Sequence, residues 1–294
     1  MNTNDFKIFE AVAANGSFTK AAEAMFTVQS NVTARIKNLE EEFGAELFTR
    51  TSRKVTLTSA GETLMQYCKQ VSHLIDEAKK EIKNADQVVG HVKIGCIDTT
   101  MALRVPHILN RFGELYPDIE LEFKSAMRHE LLNDVLNYKL DAAFISAPVV
   151  NPELESIHVK EEQLVILTSA QTPKLTDVLK HDPVKIVVFD QGCVFRARLE
   201  SWLGSKGITQ YKRTILNSIE GIINFVEAGQ GISILPAEII SEYYAGRKLN
   251  TFTITKELGI MNVMLVYRKN IPQSRAVKAF IDMYQNTAEA TAII

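Results

Sequence analysis

Cysteine is scarce in this chain: Cys68, Cys96 and Cys193 are the three in 294 residues, odd in number and far apart. That spacing excludes a disulfide framework and a paired zinc motif, and leaves reduced thiols. Long apolar runs are missing too. No stretch approaches the roughly 18 residues that span a bilayer, and the first thirty residues lack a charged start followed by an apolar segment. A cytoplasmic chain with no membrane partner is expected. The six histidines, His73, His91, His107, His129, His158 and His181, stand singly, with no ligand spacing and no paired nucleophile. The sequence therefore calls for no metal, no cofactor and no catalytic centre. An excess of positive charge is also absent: the formal net charge is -2. Any contact with a polyanion must rest on locally placed cations.

What is present suits two folded domains, with 46% hydrophobic and 23% charged residues over a length generous for one. From Phe6 to Phe43 the apolar residues recur at helical spacing in three short runs, broken at Asn15-Gly16-Ser17 and near Phe26-Thr27. The first helix carries Phe6, Phe9, Val12 and Ala13 on one face. The second, capped by Ser17 or Thr19, carries Ala21, Ala22 and Met25. The third runs from about Val28 to Phe43, burying Val32, Ile36, Leu39 and Phe43, with Gly44 as a left-handed stop. Leu47 to Leu57 then reads as two short strands around a cationic tip, a hairpin wing. Close helix contact at Ala21, Ala22 and Ala24, with short polar residues opening the third helix, is the pattern of a helix-turn-helix.

Ser59-Ala60-Gly61-Glu62 matches a capping box. Leu64, Cys68, Val71, Ile75, Ala78, Ile82, Ala85 and Val89 follow at alternating steps of four and three. This seven-residue repeat predicts a coiled-coil seam about 40 Å long and hence a dimer. A long helix packed on its own domain is the alternative; Lys69, Glu77, Lys80 and Lys83 on the opposite face favour the narrow seam. Beyond Gly90, strands alternate with helices in two similar sets, and a last strand (Val263 to Tyr267) and helix (Ser274 to Tyr284) return to the first. Two lobes joined by two crossings leave a cleft able to close on a ligand.

The segments Phe9-Glu10-Ala11-Val12-Ala13, Gly16 to Glu23, Gln29-Ser30-Asn31-Val32-Thr33, Leu39-Glu40, Phe43-Gly44, Leu47-Phe48-Thr49-Arg50 and Leu57 to Glu62 resemble the LysR-type transcriptional regulators. The likeness continues through Ile94-Gly95, Pro106, Tyr116-Pro117, Leu140-Asp141 and Val226 to Pro236, which covers essentially the full length. It departs at Val28, where Ser is the commoner helix cap and Thr27 is the candidate substitute. The resemblance implies an α/β multidomain chain: a winged helix-turn-helix (1–58), a dimerising coiled-coil linker helix (59–89) and a two-lobed effector domain like a periplasmic binding protein (90–294). Lobe I would span 90–161 and 266–294, and lobe II 162–265. The implied partners are double-stranded promoter DNA, a small-molecule effector and further copies of the chain in a homodimer or homotetramer, with RNA polymerase left open as another.

Residues 1–58 hold four Lys and three Arg against one Asp and six Glu, so the head is not basic. DNA binding is assigned to Thr27, Gln29, Ser30, Asn31, Thr33, Arg35 and Lys37 on or beside the third helix, and to Arg50, Arg53 and Lys54 on the wing. Glu40, Glu41 and Glu42 are expected to face away. Dimerisation falls to Leu64, Cys68, Val71, Ile75 and Ile82. The effector is expected among helix starts, where unpaired N–H groups favour an anionic or zwitterionic ligand. These are Asp98, Thr99 and Thr100, then Ser125 and Arg128, then Cys193, Phe195 and Arg196, and finally Ser218. Asp98 opposes a pure anion and suits an amine, and Cys193 is a weak candidate for a redox switch. Gly229-Gln230-Gly231 leaves a helix and enters a strand, the reverse of phosphate binding, and is a helix stop. A solute-binding protein would explain 90–294 but not the head.

Overall fold

A computed structural model describes residues 2–50, 54–83, 87–180 and 182–291, with side chains as far as Gln285. It divides into two compact units, Met1–Asp86 and Gln87–Ile294.

In the first unit α1 (Thr3–Asn15), α2 (Phe18–Ala24) and α3 (Gln29–Phe43) precede the antiparallel hairpin of β1 (Phe48–Arg50) and β2 (Val55–Leu57), and α4 (Ser59–Lys83) follows. Polar side chains start α1, α2 and α4. Asn2 caps α1 in a capping box with Asp5, and Ser17, the first of the two candidates, accepts the Lys20 N–H at the start of α2. Val28 caps α3 with no side-chain bond, while the Thr27 hydroxyl accepts from the Asn31 side chain and so does not replace a cap. Gly44 ends α3 at φ 64°, a conformation that suits glycine. At α4 the cap is Thr58 rather than Ser59: its Oγ1 accepts the Gly61 N–H at 3.0 Å, and Ser59 is already helical. Phe9, Val12, Ala21, Ala22, Val32, Ile36 and Leu39 form the core with Leu47 and Phe48. Phe43 does not join it and stays 46% exposed, because the chain turns away at Gly44.

The second unit opens with a parallel set: β3 (Gly90–Cys96), α5 (Asp98–Leu115), β4 (Ile119–Ser125), α6 (Arg128–Leu136) and β5 (Ala142–Ser146), ordered β4-β3-β5. Strand β6 (Leu154–Ser169) is 16 residues long and serves both lobes. Its first part, Leu154–Gln163, pairs antiparallel with β11 (Ile260–Arg268), which also pairs with β5. Its second part pairs with β9 (Ser233–Pro236) and β10 (Leu249–Thr253). The other lobe adds α7 (Leu175–Leu179), the parallel pair β7 (Val184–Val188) and β8 (Tyr211–Ile215), α8 (Val194–Ser205), α9 (Ile219–Glu227), α10 (Ala237–Tyr243) and α11 (Lys256–Gly259). Helix α12 (Arg275–Thr291) returns to lobe I, where Phe280 packs on Phe112 and Phe144. Among the described residues no helix is long and apolar enough to cross a membrane.

Candidate functional site

The start of α3 is held by a polar chain that reaches back to α1. Asp5 pairs with Arg35 at 2.5 Å, Arg35 donates to the Asn31 amide oxygen, and Asn31 donates to the Thr27 hydroxyl. Arg35 and Asn31 therefore orient the helix as well as presenting polar groups. Thr19 on α2 donates its hydroxyl to Gln29 Oε1 at 3.0 Å, which fixes the first side chain of α3, and Ser30 beside it is exposed. Thr33 is half-buried, and Lys37 is exposed with Glu41 at 3.6 Å. On the wing Arg50 stacks over Phe18 and pairs with Glu40 at 3.1 Å, and Lys54 is exposed. Arg53 lies outside the described residues. Glu40 does not face away: Oε1 accepts the Leu47 and Phe48 N–H groups and Oε2 the Arg50 guanidinium, so this carboxylate ties the wing to α3.

Helix α4 corrects part of the expected seam. Leu64 and Cys68 are buried in the core of the head, facing α1, where periodicity alone could not distinguish them from the rest of the repeat. Burial, with Glu10 nearby, pushes the Cys68 thiol up to about 12. Further along α4, Val71 and Ile75 are half-buried and Ile82 is 79% exposed, with Leu74 also open to solvent. Val89 stands outside the helix beside β3, and Ala85 lies outside the described residues.

In the second unit a cavity of about 280 Å³ opens between the lobes. Its wall includes Asp98, Ser125, Arg128, Cys193 and Phe195 of the expected set. Ser125 donates its hydroxyl to Asp98 Oδ1. Arg128 donates Nε to the Ser146 carbonyl at 3.1 Å and Nη2 to that of Pro148, so much of its donor capacity is already used. Four expected residues stand off the wall. Thr99 and Thr100 are fully buried, with hydroxyls that find no partner. Arg196 turns along α8 to Glu200, one helical turn on, at 3.0 Å. Ser218 caps α9 by accepting the Gly221 N–H, and its neighbour Asn217 reaches the cavity instead. Sequence reasoning passed over Phe189, which with Val194 and Met127 makes the wall apolar, and Glu130 and Asp190, two further carboxylates. The positions of those two acids, in or just before a helix's first turns, were the available signal. Helices α5, α6 and α9 each carry an acid in the first turn, and α8 carries none. Burial raises the Cys193 thiol above its ordinary value despite N–H groups of Phe195 and Arg196, so the thiolate is disfavoured and a redox role gains nothing.

Residues 3–62 match the model of the bacterial regulatory helix-turn-helix protein, lysR family, and residues 85–289 match that of the LysR substrate binding domain. The chain belongs to the LysR family. The uncharacterised regulator YusT of Bacillus subtilis is 36% identical over 292 residues, covering 99% of this chain and 98% of its own length. GltR of the same organism is 33% identical, covering 96% of this chain and 95% of its own. Among solved structures, a full-length OxyR variant from Pseudomonas aeruginosa aligns at TM-score 0.70 and 21% identity, covering 98% of this chain and 94% of that one. Full-length CbnR in complex with its target DNA aligns at 0.57 and 20%, covering 98% and 100%. As a LysR regulator the protein is a DNA-binding transcription factor modulated by an effector, and not an enzyme.

Proposed function

We propose that α3 enters the major groove, with Gln29 and Ser30 reading base edges and Asn31 and Arg35 holding the helix in register, while Arg50, Arg53 and Lys54 grip phosphate. Two copies join along α4 beyond Cys68, through Val71, Ile75 and Ile82, and a neutral head gains its affinity from that doubling. The assembly works in the cytoplasm and meets RNA polymerase at the promoter. The observation that carries the DNA reading is the Thr19-Gln29 bond, which presents an amide at the leading end of the recognition helix. A duplex from just upstream of its own gene is the first substrate to try in a mobility shift. Gln29→Ala should erode preference for that operator over random DNA by roughly tenfold. Arg53→Ala should weaken both about equally and flatten the salt slope by about one unit. Full discrimination retained by Gln29→Ala would sink the readout assignment.

The cavity between the lobes is the effector site, and its charge favours a zwitterion over a simple anion. Asp98, Glu130 and Asp190 outnumber Arg128, while α8 offers a helix start with no acid in its first turn. An ammonium would meet Asp98, a carboxylate the α8 N–H groups, and an apolar body Phe189 and Phe195. In a thermal-shift panel, amino acids should stabilise the protein where dicarboxylates do not, and Asp98→Asn should abolish the effect. Stabilisation by dicarboxylates alone would overturn the charge argument.

A further inference from the structure

Two apolar side chains stand in water immediately before the recognition helix: Phe26 is 99% exposed and Val28 64%. Phe26 also holds φ at 51°, a left-handed conformation that Gly or Asn adopts more cheaply than an aromatic residue. Its N–H closes the end of α2 on the Glu23 carbonyl, a bond any residue would make. Val28 occupies the cap position of α3 without supplying a cap. Neither side chain serves the fold, and a polar residue would suit both positions better.

The surroundings say what would cover them. Gln29, Ser30, Thr33 and Lys37 continue the same surface along α3, a polar and cationic setting suited to a nucleic acid. Two side chains also fall far short of the area a stable contact between copies requires. On a major-groove edge the apolar group is the 5-methyl of thymine. We infer that Phe26, with Val28 beside it, reads thymine methyl groups next to the bases met by Gln29 and Ser30. This rests on α3 being the groove helix.

The test uses the full chain and an operator duplex enriched from a random-sequence library, with each thymine replaced in turn by deoxyuridine, which removes the methyl and nothing else. At one or two thymines per half-site the wild type should lose about fourfold in affinity, the worth of one buried methyl. Phe26→Ala should lose a similar factor on the thymine duplex and show no further loss on uracil. Phe26→Asn, which relieves the backbone and so should fold at least as well, should show the same insensitivity, and Phe26→Leu should keep part of the response. Methyl sensitivity unchanged in both Phe26→Ala and Phe26→Asn overturns the inference and leaves α3 in the groove. An affinity loss equal on thymine and uracil, with weakened self-association in sedimentation, overturns it in favour of a contact between copies. Failure of the wild type to enrich any duplex overturns both readings.

Discussion

Glutamine in place of Glu162 is expected to raise the unfolding temperature of the effector domain at neutral pH and to flatten its dependence on pH. Glu162 lies on β6 opposite Met261, only 2% exposed, and neither carboxyl oxygen has a hydrogen-bond partner. The charged groups around it are Arg104 on α5, Glu238 on α10 and Lys160 on β6. Glu238 already binds Lys160 at 2.6 Å and has Arg104 at 3.7 Å, so the cations near Glu162 are shared with a second carboxylate. Burial, opposed by Arg104, moves the Glu162 carboxyl from 4.5 to about 7. The folded chain thus keeps a proton that the unfolded chain releases. Stability is full below pH 4.5, falls as pH rises towards about 7, and is level above that. The loss is on the order of 3 kcal/mol, or about 5–10 °C for a domain of this size. Glutamine carries no proton to lose and escapes it. Calorimetry at intervals from pH 5 to 8 reads the difference, and a wild-type transition that does not move would refute the argument.

Gly61→Ala should cost the head about 3 kcal/mol or more and abolish operator binding, while the effector domain unfolds as before. A Cβ on Gly61 would stand 2.2 Å from the Leu47 carbonyl oxygen and 2.9 Å from Leu57 Cδ2. The carbonyl cannot retreat cheaply. It accepts the Thr58 N–H at 3.1 Å, and the Leu47 N–H is bound to Glu40. Moving it would disturb the wing, α3 and the start of α4 together. Two calorimetric transitions, with only the head's displaced, are the expected record; a Gly61→Ala head as stable as wild type would show that the loop has room to yield.

The three helices and the wing were legible because Phe9, Val12, Ala21, Val32 and Ile36 repeat with the helical period and each break carries a turn residue. Phe43 continued that pattern but lies where the chain departs, and spacing alone cannot see a missing neighbour. The same blindness applied to Leu64 and Cys68. A heptad records that a face is covered but not whether α1 or another chain covers it. The reading from helix starts named Asp98, Arg128 and Cys193, and all three line the cavity. Arg196 sits near such a start, yet its place on the helix directs it to Glu200 one turn on. The capping network from Asn2 through Asp5 to Arg35 joins residues thirty apart, with no local signal to betray it.

Because β11 and α12 complete lobe I, the order of synthesis matters. The head, and then the segment from the second part of β6 to β10, can gather their own contacts as they leave the ribosome. Lobe I must wait: until Ile260–Arg268 arrives, β5 has an open edge, and until Phe280 arrives, Phe112 and Phe144 lack the ring that packs between them. A chain cut short near residue 255 would therefore carry a finished DNA reader attached to a sticky, half-built receptor. Such a nascent fragment is a natural client for chaperones, and premature stop codons just ahead of β11 should yield aggregates rather than regulators deaf to their signal.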